Sequence, residues 1–289
     1  MRDAFVAEHQ QCWPVTVLCE VLAVGRSGFY DYHKRQAALA RSPEEIDLLE
    51  RIKAISEKTQ HSYGSRRLVK HLQDEGYDVG RCKVRRLMKL AGVAVERRRR
   101  RGPQTTESRH GYGGAPNLLA RNFAVAAPNV AGCGDITYIW TEEGWLYTSV
   151  LLDLYARKVV GWAMREPVDT PLGRAALEMA LGRRQPDVGL IHQSDRGAQY
   201  AGHTYRALLT EQGIACSMSG KGDGLDNAVV ERFFGSLKRE RTSKRYYLTR
   251  QEARDAIIDY IEMFYNSWRK HAYLGYVSPN AYERCARAA

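Results

Sequence analysis

The sequence predicts an all-α, helix-turn-helix-type region followed by an α/β domain in which helices flank a mixed sheet. Three observations predict it. From residue 14 to residue 91, apolar residues recur at the spacing of helices with one buried face. From residue 129 the period changes, and GDITYIW, WLYTSVLLDLY and KVVGWAM form short runs of β-branched and aromatic residues separated by turns. Helices and short apolar strands then alternate, as they do when helices cover the faces of a sheet.

In the first region, Val15, Leu18, Cys19 and Leu22 make a helical stripe, AVGRSG breaks it, and GFYDYHKRQ resumes a helix. This is the outline of a helix-turn-helix; a helical hairpin without a DNA contact fits the same pattern. Pro43, Glu44 and Glu45 start the next helix, with Ile46, Leu49, Ile52 and Ile55 as its apolar stripe. SYGSRRLVKHLQDEG, carrying Arg66 and Arg67, is a helix stopped at Gly76, and VGRCKVRRLMKLAG is another stopped at Gly92. The latter presents Arg81, Lys83, Arg85, Arg86 and Lys89, while Val84, Leu87, Met88 and Ala91 supply its buried face. A short basic helix of this kind fits a major groove; a solvated charged face is the competing reading. ERRRRRGPQTTESRHGYGGAPN then reads as a linker, in which Arg97, Arg98 and Arg99, with Arg100 and Arg101, suit contacts to DNA phosphates; a plain solvated linker is the competing reading.

In the second region, Glu143-Gly144 is expected to close the first hairpin and Ala156-Arg157 the second. A helix (PLGRAALEMALGRR), a strand (VGLIHQS), a helix (TYRALLTEQG), a strand (IACSMS) and a helix (LDNAVVERFFGSLKRERT) follow, with QEARDAIIDYIEMFYNSW as the last helix.

A chain of 289 residues suits two domains. Its net charge of +11 points to a polyanionic partner, either nucleic acid or an anionic membrane. No apolar run approaches the ~20 residues that cross a bilayer, and the first residues lack the pattern of a secretory signal. The six cysteines are scattered without a Cys-x-x-Cys pair, which argues against a zinc ribbon and for reduced thiols in a cytoplasm. Nucleic acid is therefore the expected partner. Residues 1–110 hold 22 Lys and Arg against 14 Asp and Glu, whereas the rest is nearly balanced at 22 against 19. The first third is the part expected to grip DNA.

Three carboxylates are the candidates for chemistry. Asp135 is expected at the start of the first strand. Asp195 directly follows the strand LIHQS, at the end where open α/β sheets place ligands. Glu231 lies on the helix opened by Asp226, and 35 residues separate it from Asp195. Each alone reads as a cap or salt-bridge partner. Together, hard oxygen ligands suit Mg²⁺ or Mn²⁺, whose charge relieves their mutual repulsion. Two such ions ~4 Å apart serve phosphodiester chemistry by activating one oxygen and stabilising another. Asn227 and Lys238 share the helical face of Glu231, so both are expected near the same DNA.

GDITYI, HQSDRGAQY, DNAVVERFFGSLKRE and FYNSWRKHAYLGYVSP together resemble an OrfB-type transposase of the insertion sequence 3 family. The resemblance covers about residues 12–285. It implies a ribonuclease H-like, retroviral-integrase-like core, with Asp135, Asp195 and Glu231 as catalytic and metal-binding residues and Arg269 and His271 in a C-terminal Arg-x-His motif. It implies strand cleavage and joining at the ends of a mobile element, two Mg²⁺ ions, a multimeric synaptic complex and an upstream reading-frame product as partner, in a bacterial nucleoid. The expected division is an N-terminal element at 1–40, a helical DNA-binding domain at 41–95, a basic linker at 96–128 and an integrase-like catalytic domain at 129–289. The family pattern has Trp where Gly132 stands and often His where Gln193 stands, with His192 adjacent; Asp223 and Leu225 also depart from it. The alternative reading is a catalytically decayed copy acting as a DNA-binding protein or repressor; a ribonuclease H-like nuclease that cuts without joining is a third.

Overall fold

The computed structural model describes residues 1–39, 42–95, 113–166, 168–220 and 224–288. Three helices come first: α1 (Arg2–His9), α2 (Val15–Val21) and α3 (Arg26–Leu39). They close a small core of Val6, Leu18, Cys19 and Phe29. The turn between α2 and α3 falls in AVGRSG, with Ala23 at φ 51°. Helix α1 buries Val6 alone, so it has no apolar stripe by which periodicity could reveal it.

Helices α4 (Pro43–Lys58), α5 (Ser65–Asp74) and α6 (Arg81–Leu90) follow. Ser42 caps α4 by accepting the Glu45 N–H at 3.2 Å, and Pro43 sits in the first turn, where its missing N–H costs nothing. Gly76 at φ +92° and Gly92 at φ +68° follow α5 and α6 in the left-handed conformation that ends helices. The buried stripe of α4 is Leu48, Leu49, Ile52 and Ile55; Ile46, expected inside, is exposed.

The sheet has the order β3-β2-β1-β4-β5. Strands β1 (Ala131–Thr141), β2 (Gly144–Asp153) and β3 (Lys158–Arg165) form an antiparallel meander, and β4 (Ile191–Ser194) and β5 (Ala215–Met218) run parallel to β1. The first turn is Glu142-Glu143, one residue earlier than expected, because Gly144 already pairs with Thr141. The strands' alternating side chains feed two cores. On one face α7 (Thr170–Arg184), α8 (Ala198–Ala201) and α9 (His203–Glu211) bury Leu151, Leu177, Tyr205 and Met218. On the other, α10 (Ala228–Glu240) and α11 (Arg250–Ile258) join Val150, Leu152, Phe233 and Ile257 in a second core. That core also takes in Leu49, Ile52, Leu68 and Leu87 of the helical region. Helices α4–α6 are thus packed into the same core as the sheet.

Two further differences concern the ends of the second region. Residues 113–128, expected as linker, lie against the sheet edge: the Leu118 N–H donates to Ser217 Oγ at 2.8 Å, and Ala115 and Leu119 are buried. The expected last helix changes winding, α11 passing into a π-helix at Asp259–Tyr265, and a further helix, α12 (Pro279–Ala288), follows. Among the described residues, no helix is long and apolar enough to cross a membrane.

Candidate active site

Asp135 and Asp195 come together through strand register. β1 and β4 are parallel neighbours, paired Ala131 with Ile191 and Cys133 with Gln193. Carrying that register two residues further sets Asp135 beside Asp195, about one strand spacing (~4.8 Å) away. Asp135 stands in mid-strand, opposite Val150, and not at the strand's start as expected, because β1 begins at Ala131. Asp195 follows the last residue of β4, as its position after an apolar run implies. Each carboxylate is held by a local backbone N–H, Asp135 Oδ1 by Ile136 at 2.7 Å and Asp195 Oδ1 by Gly197 at 2.9 Å.

Glu231 lies in the first turn of α10. The turn before it, a 3-10 helix at Gly224–Asn227, is fixed by Asp226. The buried Asp226 carboxylate accepts from Asn117 Nδ2 and the Gly220 N–H, both at 2.9 Å, and from Arg121 Nε at 2.8 Å. The Gly220 N–H and the Arg121 guanidinium hold it below the usual carboxylate range. Asn227, expected to contact DNA, is instead 2% exposed and donates to the Gly134 carbonyl at 3.2 Å, tying α10 to the residue before Asp135. Its Oδ1 is buried without a hydrogen-bond partner among the described residues.

The electrostatics join the three acids. Burial and the neighbouring Asp195 push Asp135 well above the usual carboxylate range, with Glu231 adding to the rise and Lys238 opposing it. Burial and Asp195 also raise Glu231. Like charges in one place disfavour ionisation, and a cation would remove that penalty. The donor set is wholly carboxylate oxygen, which fits a hard divalent ion. As the side chains lie, no group of three His, Cys, Asp or Glu stands close enough to hold a metal among the described residues. Lys238 sits over the Tyr138 ring at 4.7 Å, on the Glu231 face of α10, as the helical spacing implies.

The residues expected to contact DNA separate into groups. Arg66, Arg81 and Arg85 are exposed on α5 and α6, and Lys83 is half-buried. Arg86 is exposed but paired with Glu45 at 2.8 Å. Arg97, Arg98, Arg99, Arg100 and Arg101 lie outside the described residues. Arg67 turns inward: its Nη1 reaches Glu240 at 3.2 Å, and its guanidinium lies over the Tyr63 ring. Arg269 donates to both Glu240 oxygens at 2.7 Å and to Ser236 Oγ at 3.2 Å, and Tyr260 donates to Glu240 at 2.9 Å. Burial alone would raise Glu240, but Arg269 and Arg67 hold it down to about 2. Arg269 therefore ties the C-terminal segment to the last turn of α10. His271 bonds Tyr265 Oη at 3.1 Å, and burial and Arg269 lower it to about 3, which keeps it neutral.

The departures from the family pattern also have local causes. A Cβ at Gly132 would stand 3.0 Å from the Leu152 carbonyl. Gln193 is buried and accepts from Ser217 Oγ at 2.6 Å, while His192 meets Tyr205 Oη at 3.0 Å. Successive strand residues face opposite ways, so His192 does not replace a group at position 193.

A five-stranded mixed sheet with helices on both faces is the architecture of an integrase-like core. Residues 125–223 and 231–285 match the family described as "Integrase core domain", and residues 43–101 match "HTH-like domain". "Insertion element IS600 uncharacterized 31 kDa protein" of Shigella sonnei is 41% identical over 265 residues, 92% of this chain and 97% of that protein. "Transposase InsF for insertion sequence IS3A" of Escherichia coli (strain K12) is 35% identical over 284 residues, 98% of each. The solved "HTLV-2 integrase catalytic core domain in complex with magnesium (trimeric form)" aligns over 54% of this chain and 97% of that one, at 15% identity and TM-score 0.42. The chain belongs to the insertion sequence 3 family of transposases.

Proposed function

We propose that this transposase cleaves and joins DNA strands at the ends of an insertion sequence, with Asp135, Asp195 and Glu231 as its catalytic carboxylates. The observation that supports the reading is that, beyond burial, Asp195, just after β4, acts on both Asp135 of β1 and Glu231 of α10, raising each above its ordinary range. The same residues would hold two Mg²⁺ ions, with Mn²⁺ substituting. When bound, the ions supply charge neutralisation and activation of an oxygen nucleophile, water or a DNA 3′-hydroxyl. The chain's own groups hold the acids in register, and Asn227 positions α10 against β1. Lys238 places positive charge where DNA phosphates approach the acids.

We divide the work between residues 41–95, which grip DNA through Arg66, Arg81, Lys83 and Arg85, and residues 129–289, which react with it. Residues 1–40 and the basic segment within 96–128 add further contacts, the latter through Arg97, Arg98 and Arg99. A second copy in a synaptic complex and an upstream reading-frame product are the proposed protein partners, and the bacterial nucleoid is the proposed place of action. All three acidic positions are filled, which speaks against a decayed copy acting only as a repressor.

The test is Asp195→Asn. Strand transfer in Mg²⁺ is expected to fall by about a hundredfold or more, while DNA binding measured by anisotropy is retained. Undiminished transfer would overturn the assignment of the three acids.

A further inference from the structure

Between α5, α10 and the C-terminal segment is a cavity of about 440 Å³. Its walls carry the guanidiniums of Arg67, Arg157, Arg232, Arg239 and Arg269. Glu240 pairs with both Arg67 and Arg269 and cancels one of their two charges. Arg157, Arg232 and Arg239 make no ion pair among the described residues. Arg157 is 6% exposed: its Nη2 donates to the Phe123 carbonyl at 2.9 Å, and its Nη1 is buried without a hydrogen-bond partner among the described residues. A buried guanidinium N–H left unmatched is costly, and an anion nearby relieves that cost.

The cavity also has rings. Arg157 lies 4.2 Å from the Tyr273 ring centroid, Tyr273 is 58% exposed, and Phe123 lines the cavity as well. A lone phosphate, with the bulk of a few waters at ~30 Å³ each, would leave most of the space empty. Cations combined with aromatic faces in a space of this size suit a base and its phosphate together. Residues 231 and 232 are consecutive on α10 and so point about 100° apart, the cavity lying on the Arg232 side of the helix.

We propose that the cavity receives one nucleotide turned out of the duplex, its phosphate against Arg232 and Arg239 and its base against Tyr273 or Phe123. This rests on the reading of the chain as acting on DNA, but on none of the three acids. Turning out one nucleotide costs a few kcal/mol of stacking and pairing, which the rings and cations offset.

The experiment uses the full chain without divalent cation. It compares a duplex carrying one bulged 5-iododeoxyuridine with the same duplex in which that base is paired. The bulged base is expected to crosslink under ultraviolet light to Tyr273 or Phe123. The double variant Arg232→Gln, Arg239→Gln is expected to lower that yield about tenfold through the lost charge-assisted phosphate contacts, and to weaken binding of the paired duplex much less. Tyr273→Leu, which keeps the charges, is expected to weaken binding of the bulged duplex alone. Crosslinks mapping elsewhere on the chain would overturn the proposal. So would an equal loss of paired and bulged binding, which would make the arginines general backbone contacts. Because no metal is present, either failure leaves the assignment of the acids to be judged by strand transfer.

Discussion

Gly161 stands where β3 meets α7, and a Cβ there would lie 2.2 Å from the Ala176 carbonyl and 2.8 Å from Ala180 Cβ. Neither atom can withdraw without moving the helix. Gly161→Ala is expected to destabilise the protein by about 1–3 kcal/mol, read as a fall of several degrees in melting temperature. Such a contact is invisible in a local pattern, because KVVGWAM reads as a strand whatever packs on it. The acids differ in this respect. Asp195 is legible because its place after an apolar run fixes it at a strand end. Arg67 and Arg269 are not, since their shared partner Glu240 is far away in sequence: Arg67 alone is 173 residues from it. Nothing in SYGSRRLVKHL distinguishes the arginine that turns inward from its exposed neighbour Arg66.

At the scale of elements, α10 carries one of the three candidate acids and Lys238, and Asp226 fixes the turn that precedes it. Asp226→Ala removes the acceptor for Asn117, Gly220 and Arg121. It is expected to lower strand cleavage by about tenfold or more, since a misplacement of about 1 Å at a reacting group has costs of that order or above. The circular dichroism of the sheet and helices should be retained. Cleavage at the wild-type rate would show that the 3-10 turn does not position Glu231. Periodicity does not mark α1, α8 or α12, whereas the main helices and strands follow from it and the mixed sheet from their order. The π-helical turn at Asp259–Tyr265 does not, because the residues that wind it read as an ordinary amphipathic helix.

At the scale of the whole molecule, polar and charged contacts add to the apolar packing that binds α5 and the turn before it to the core. Besides Arg67 with Glu240, the Lys270 backbone N–H donates to Tyr63 Oη at 2.6 Å, Lys270 Nζ pairs with Asp74, and Lys244 Nζ reaches the Gln60 carbonyl at 2.5 Å. Glu240 is held at about 2, below its ordinary 4.5. The folded state therefore binds its proton less readily than the unfolded state. The stability this supplies is complete above pH 4.5 and is lost as pH falls toward 2. That interval is worth about 3 kcal/mol. Glu240→Gln is expected to be less stable at neutral pH by about 3 kcal/mol or more, and its stability should change less than the wild type's over the same interval. Denaturant unfolding at several pH values checks both; parallel profiles would refute the assignment.

The clamp around Glu240 has a geometric consequence. It joins α5, and through it the helix that carries Arg81 and Arg85, to the same helix that carries Glu231. If, as proposed, α6 meets a base pair and the acids receive a phosphate, the two are separated by a length fixed in protein. The molecule acts as a ruler, and lengthening the DNA between those two points by one base pair should displace the cut along the sequence while leaving its distance from the gripped site unchanged.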